Sequence, residues 1–258
     1  MKQQQQLLLL ILAFGVFSIL NTEMGIIGIL PMAAEMYQVD IVQAGLLVSL
    51  FALGVAIAGP TMPLLFSRFN RKRVMLLVLG VFTLCNALAV FASDFEVLLV
   101  LRVVPAFFHP VYCALAFSVA AASVAPEDAP RAVARINMGV AAGMVVGVPI
   151  SNVLAATFDF SVAMAFFAGV TGLMFLLTMA FVPDLPVAQP MQYGAQLSVL
   201  KRPPVWLAIV AVICLNGSIF GVYNYCRASS IYITINHLLK SGYKDTSLTL
   251  AFSLVNSQ

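Results

Sequence analysis

The chain has 258 residues, of which 62% are hydrophobic and only 9% charged, with a formal net charge of +3. A soluble domain is about 45–50% apolar and about 25% charged, so this composition, with a mean hydropathy of +1.03, excludes a water-soluble globular fold. No basic face extends beyond the one short loop at Arg68–Arg73, which also excludes an extended nucleic-acid-binding surface.

Charge-free stretches run over 3–22, 41–67, 74–93, 103–126, 136–158, 160–183 and 203–226. Each reaches the roughly 20 residues that a helix needs to cross a hydrocarbon core. Seven crossings are predicted. Segments such as Val74 to Val81 and Met164 to Phe181 are apolar on all sides, as lipid-embedded helices are, whereas barrel strands alternate. The first segment opens like a secretory signal, with Lys2 ahead of Leu7 to Leu10. It continues to Pro31, however, broken only at Asn21-Thr22-Glu23. It reads as an uncleaved first helix.

Lys and Arg sort between the two sides. Lys2, then Arg68, Arg71, Lys72 and Arg73, then Arg131 and Arg135, then Lys201 and Arg202 all fall on one side. The opposite connections, around Glu35–Asp40, Asp94–Glu96 and Asp159, carry none. The positive-inside rule places the N-terminus and the basic loops in the cytoplasm. As a topology anchor, the Arg68–Arg73 loop needs no further role.

Residues 1–182 form a predicted six-helix domain with short connections. Pro183 to Pro204 contains five prolines and closes on Lys201-Arg202, so 183–204 reads as a cytoplasmic linker. A seventh span follows at 205–226. Residues 227–258 are of mixed polarity, and their apolar pieces are too short to span.

Glu23 in the first span and Arg102 in the fourth are full charges within the membrane, each costing about 2.5–3.5 kcal/mol at a helix centre. Glu23 lies about 12 Å from the outer end of its helix and Arg102 about 9 Å from the outer end of its own. At that shared depth an ion pair or a common polar cavity is sterically open. His109 follows Arg102 by seven positions, on the same helical face, and its imidazole titrates near neutral pH. This stripe suits a proton or substrate path. Asn21, Asn137, Asn152 and Tyr112 are candidates for its polar lining. Bland readings stand beside these: Glu23 snorkelling to headgroups, His109 bonded to a carbonyl freed by Pro105 or Pro110, and asparagines gluing helices.

The fifth span carries Gly139, Gly143 and Gly147 at four-residue spacing, then Pro149. Such a stripe lets a second helix approach closely, and the proline allows bending. The cysteines Cys85, Cys113, Cys214 and Cys226 have no CxxC spacing, so neither a metal site nor a disulfide framework is expected, and no cofactor is implied.

Several of these segments together resemble the major facilitator superfamily, in particular its drug:proton antiporter-type and arabinose-efflux-like permeases. They are Thr22-Glu23-Met24-Gly25-Ile26-Ile27-Gly28-Ile29-Leu30-Pro31 in the first helix, the loop from Pro63 to Arg73, Leu99 to Pro110 around Arg102, and Gly139 to Leu154. The likeness covers about 7–225. It departs from the usual loop motif at Pro63, Ser67 and Asn70, where the family has Gly, Asp and Gly, which leaves gating to Arg68, Arg71, Lys72 and Arg73. Ser151 and Asn152 also stand where small glycines are usual.

The resemblance implies an all-α integral membrane fold: a six-helix bundle of two inverted three-helix repeats, followed by the seventh helix. It implies a proton-coupled efflux permease of the bacterial inner membrane, multi-pass, moving small organic solutes such as sugars, nucleosides or drugs by alternating access. Its partners would be solute, protons, the lipid bilayer and a C-terminal half. Arg102 would influence proton coupling, with Glu23 as the matching carboxylate. Three other readings stay open. One is a non-transporting fragment. A second is an intramembrane serine enzyme using Ser218 with His109 or His237, which lacks a GxSxG elbow. The third, a seven-helix receptor or retinal protein, conflicts with a cytoplasmic N-terminus and with a seventh helix that has no lysine.

Overall fold

The computed structural model describes residues 2–185 and four isolated helical positions, Leu207, Val210, Cys214 and Ser218. The described spans lie within one compact unit, Met1–Met191. Most of the predicted linker at 183–204 and all of the tail at 227–258 lie outside the described residues. So does the predicted span at 205–226, apart from those four positions.

The described helices are α1 (Lys2–Gly28), α2 (Leu30–Tyr37), α3 (Ile41–Ala58), α4 (Met62–Phe66), α5 (Arg71–Ala89), α6 (Phe95–Ala106), α7 (His109–Ala122), α8 (Ala129–Ala142), α9 (Val148–Thr157) and α10 (Phe160–Phe181). Six segments are long and apolar enough to cross a membrane: Gln3–Gly28, Ile41–Ala58, Arg71–Ala89, Phe95–Ala122, Pro126–Thr157 and Phe160–Phe181. The chain is therefore an all-α, multi-pass membrane protein.

Helix boundaries follow local chemistry. Three helices start on a side-chain cap: Asp40 accepts from Gln43 N, Asn70 from Lys72 N, and Asp159 from Val162 N. Capping of this kind satisfies amide protons that have no partner inside the helix. Two of the three acidic connections thus have a structural use as helix starts. Pro31 opens α2, and Gln38 ends it in the left-handed region at φ 53°.

Two spans are interrupted. The fourth breaks at Phe107–Phe108, between Pro105 inside α6 and Pro110 in the first turn of α7, because proline lacks an N–H and crowds the preceding turn. The fifth contains a π-helical segment, Gly143–Gly147, between α8 and α9.

α1 is the central helix, packing along α8, the π segment, α9 and α10, while α5 pairs with α10 and α3 with α6. The glycine stripe explains how closely α8 approaches. A Cβ on Gly139 would collide with the carbonyl oxygen of Ala13, and one on Gly143 would come within 2.9 Å of Leu20 Cβ and 3.1 Å of Phe17 O. The apolar interior falls into two clusters. One contains Leu12, Val16, Phe82 and Tyr112, and the other Ile26, Leu47, Met164 and Phe167.

Large apolar side chains such as Leu53, Ile57, Leu84, Leu88, Met138, Val153 and Leu173 are exposed on the unit. Lipid solvates such side chains, so their exposure costs nothing there. At one end Tyr37 ties three elements together. Its hydroxyl donates to Ala92 O at 2.9 Å, and its ring meets Phe95 and Phe160 edge-on. Burial, aided by the Asp94 carboxylate, pushes the Tyr37 phenol above its ordinary range, so it stays a donor.

Candidate functional site

The buried polar residues of α1 lie in its second half, where Ser18, Asn21 and Thr22 are fully enclosed. Thr22 is the hub. Its hydroxyl donates to Ser18 O at 3.1 Å and accepts from Asn86 Nδ2 at 3.3 Å, and its carbonyl accepts from Arg102 Nη1 at 3.0 Å.

Arg102 is only 1% exposed, although its guanidinium is a permanent charge. Besides Thr22 O it has the face of Phe51, whose ring centroid lies 5.1 Å from the guanidinium carbon, a favourable cation–π placement. Its Nε and Nη2 have no hydrogen-bond partner among the described residues.

Glu23 does not take Arg102 as its direct partner. Its Oε2 lies 3.0 Å from His109 Nε2, at ion-pair distance although not aligned as a hydrogen bond. The reason is angular. Adjacent residues on a helix project about 100° apart, so Thr22 offers its carbonyl to α6 while Glu23 reaches α7. His109 also faces Phe51 edge-on at 6.1 Å between ring centroids, and its Nε2 lies 3.9 Å from Cys113 Sγ. It bonds no backbone carbonyl freed by the neighbouring prolines, and its Nδ1 is without a partner among the described residues.

Arg102, His109 and Glu23 are thus gathered around Phe51 and one turn of α1. The Glu23 and His109 side chains are 18% and 12% exposed, whereas Arg102 is sealed. A carboxylate and an imidazole at this separation can pass a proton between them.

The other candidates divide. Asn21 is enclosed, with both amide atoms lacking partners among the described residues and its Oδ1 pressed against Gly147. Tyr112 is enclosed as well, its hydroxyl against Gly15. Asn152 is half-buried beside Gly28, while Asn137 is exposed. Pro149 sits in the first turn of α9, directly after the π segment. Ser151 bonds Val148 O at 2.9 Å and Gly25 O at 3.4 Å, across to α1.

In the basic loop, Arg68 and Arg73 are exposed and Arg71 and Lys72 half-buried. Asn70 does more than replace a glycine. It caps α5, and its Nδ2 donates to Asp184 Oδ1 at 3.4 Å while Arg71 N donates to Leu185 O at 3.2 Å. A carboxylate is therefore present at this loop, from beyond α10, although Ser67 occupies the position where an aspartate was expected.

Sequence reasoning missed Ser18, Thr22 as a hub, and Asn86. The signal available was an amide inside a charge-free apolar span, which needs a partner when buried.

A family model described as Major Facilitator Superfamily matches residues 12–256. The chain is 31% identical over 230 residues to the inner membrane transport protein YdhP of Escherichia coli strain K12, covering 89% of this chain and 58% of that protein. It is 26% identical over 247 residues to the putative transporter AraJ of the same strain, covering 96% and 61%. A probable sugar efflux transporter of Helicobacter acinonychis is 25% identical over 225 residues, covering 87% and 57%. The chain therefore spans under two thirds of the length of these relatives.

Among solved structures, the peptide transporter POT in complex with sulfate aligns with a TM-score of 0.63 at 13% identity, covering 97% of this chain and 49% of that one. A bacterial homologue of the human lysosomal transporter Spinster, inward-facing and unoccupied, aligns at 0.61 and 19%, covering 75% and 46%. At these identities the likeness is one of fold.

Proposed function

Because the chain belongs to the Major Facilitator Superfamily, we propose that it is a proton-coupled secondary transporter of efflux type for small organic solutes such as sugars, nucleosides or drugs. The observation that supports this reading most is the Glu23–His109 pair at 3.0 Å beside buried Arg102. In this reading Glu23 and His109 exchange the coupling proton. Arg102 supplies the fixed charge that makes the protonated and deprotonated pair differ in their preference for an open or closed site.

The six described spans form two inverted three-helix repeats that rock against a second six-helix half, with solute held between the halves. The glycine face of α8 slides or bends on α1, aided by the π segment and Pro149. Asn21, Asn137 and Tyr112 contribute to the solute path. Arg68, Arg71, Lys72 and Arg73 act in the gate on the cytoplasmic side, where the N-terminus also lies, in a bacterial inner membrane.

The test is a solute screen in sealed vesicles containing the protein, with an internal pH indicator and an imposed pH gradient. Addition of the right sugar, nucleoside or drug releases protons down the gradient, and Glu23→Gln removes that release. Solute movement without proton movement refutes the coupling. Insertion with no solute response in any arm supports the competing reading, a unit that does not transport by itself.

A further inference from the structure

We infer that Asn86, on α5, is a positioning residue for the Glu23–Arg102–His109 group, acting through Thr22. The inference rests on the proton-coupling reading above and adds to it a residue that touches none of the three charged or titrating side chains.

Asn86 is 2% exposed and is the one side-chain amide of α5. A buried amide in an apolar span is costly unless it is bonded, and Asn86 Nδ2 spends its donor on Thr22 Oγ1 at 3.3 Å. The Thr22 hydroxyl sends its own proton to Ser18 O at 3.1 Å, which leaves the oxygen as an acceptor and fixes the sense of the Asn86 bond. The Thr22 carbonyl receives Arg102 at 3.0 Å.

Two different spans, α5 and α6, therefore close on a single residue of α1, and the next residue is Glu23. Holding the Thr22 turn against α5 sets how far the Arg102 charge and the His109 ring lie from the Glu23 carboxylate.

The electrostatic surroundings of Glu23 are otherwise sparse, so a change in this placement should be readable. α7 brings His109, with Cys113 behind it and the buried Tyr112 turned to Gly15, and α6 brings Arg102, with Glu96 exposed in its first turn. The segments α3, α9, α10 and Gly143–Gly147 contain no ionisable side chain. On α5 the group nearest in sequence is buried Cys85. Arg71, Lys72 and Arg73 lie at the far end of α5, and the α8 residues Arg131 and Arg135 are exposed. On α2 and its flanks, Glu35 is exposed and Tyr37 is bonded to Ala92.

The experiment is an infrared pH titration of the full chain in lipid vesicles, following the protonated-carboxyl band that Glu23→Gln removes. Asn86→Leu, which keeps the branched outline of the side chain, and Thr22→Val, which keeps its volume, should each shift the midpoint of that band by about half a pH unit, the size one neutral hydrogen bond supports. The double variant should shift it no further than the larger single shift, because both remove the same contact.

Unchanged midpoints in inserted, helical single variants overturn the inference while leaving the coupling reading intact. If Asn86→Leu fails to insert, the Thr22→Val midpoint decides alone. If no titrating band disappears in Glu23→Gln, the coupling reading fails, and this inference with it.

Discussion

Replacing individual glycines by alanine tests whether the close approach of α8 to α1 holds the unit together. Gly45 on α3 has nothing within 4 Å of the position where a Cβ would stand. Alanine there adds helix propensity and nothing else, stabilising by about 0.5–1 kcal/mol. At Gly143 the added carbon meets Leu20 Cβ at 2.9 Å and Phe17 O at 3.1 Å. Ordinary contact begins at about 3.5 Å, so α1 and the π segment must part by roughly half an ångström. Overpacking of this kind costs about 1–3 kcal/mol.

Gly139 is worse placed, because the obstructing atom is the backbone oxygen of Ala13, which no side-chain rotation can move. The measurement is thermal unfolding in mild detergent followed by circular dichroism. At about 2–4 °C per kcal/mol for a protein of this size, Gly45→Ala should raise the midpoint by about 1–4 °C. Gly143→Ala should lower it by about 2–12 °C, and Gly139→Ala by at least as much. A Gly139→Ala variant as stable as Gly45→Ala would refute the packing argument, and with it the reason given for the stripe.

Three further outcomes follow from the site. Arg102→Ala should abolish the dependence of transport on a pH gradient while the protein still inserts, and full coupling in that variant removes Arg102 from the mechanism. Glu23→Gln should flatten the pH profile of transport, because the amide keeps the shape but holds no exchangeable charge. A profile unchanged from wild type counts against the carboxylate. Asn70→Ala should lower the unfolding midpoint by about 2–4 °C through loss of a helix cap worth about 1 kcal/mol. Asn70→Asp should keep the cap yet set a second carboxylate against Asp184. If Asn70→Asp is as stable as the unaltered protein, the Asn70–Asp184 contact has no role of its own.

Much of this protein is written in local chemistry. Long charge-free runs have one low-energy solution in a bilayer, a helix that satisfies its own backbone, so the six described spans were legible from the positions of the charges. Pro31 marked the end of the first helix, whereas the fourth span read as one continuous helix through Arg102 and His109, and the structure breaks it at Phe107–Phe108. The four-residue spacing of Gly139, Gly143 and Gly147 marked a close helix contact. Arg102, Glu23 and His109 stood out because a charge or an imidazole in hydrocarbon needs a partner.

What one dimension does not contain is which partner each group takes. Depth along the membrane left a Glu23–Arg102 ion pair or a common polar cavity open, and depth says nothing of the direction around the helix axis. The packing of α7 on α1, and of α6 on α3 and α5, sent His109 to Glu23 and Arg102 to the Thr22 carbonyl. The same ambiguity hid Asn86, an unremarkable amide until α5 lay against Thr22, and Asp184, far along the chain from the loop it meets at Asn70. A sequence states the cost of placing a polar group in the membrane, and only the rotation and contact of whole helices decides which neighbour offsets it.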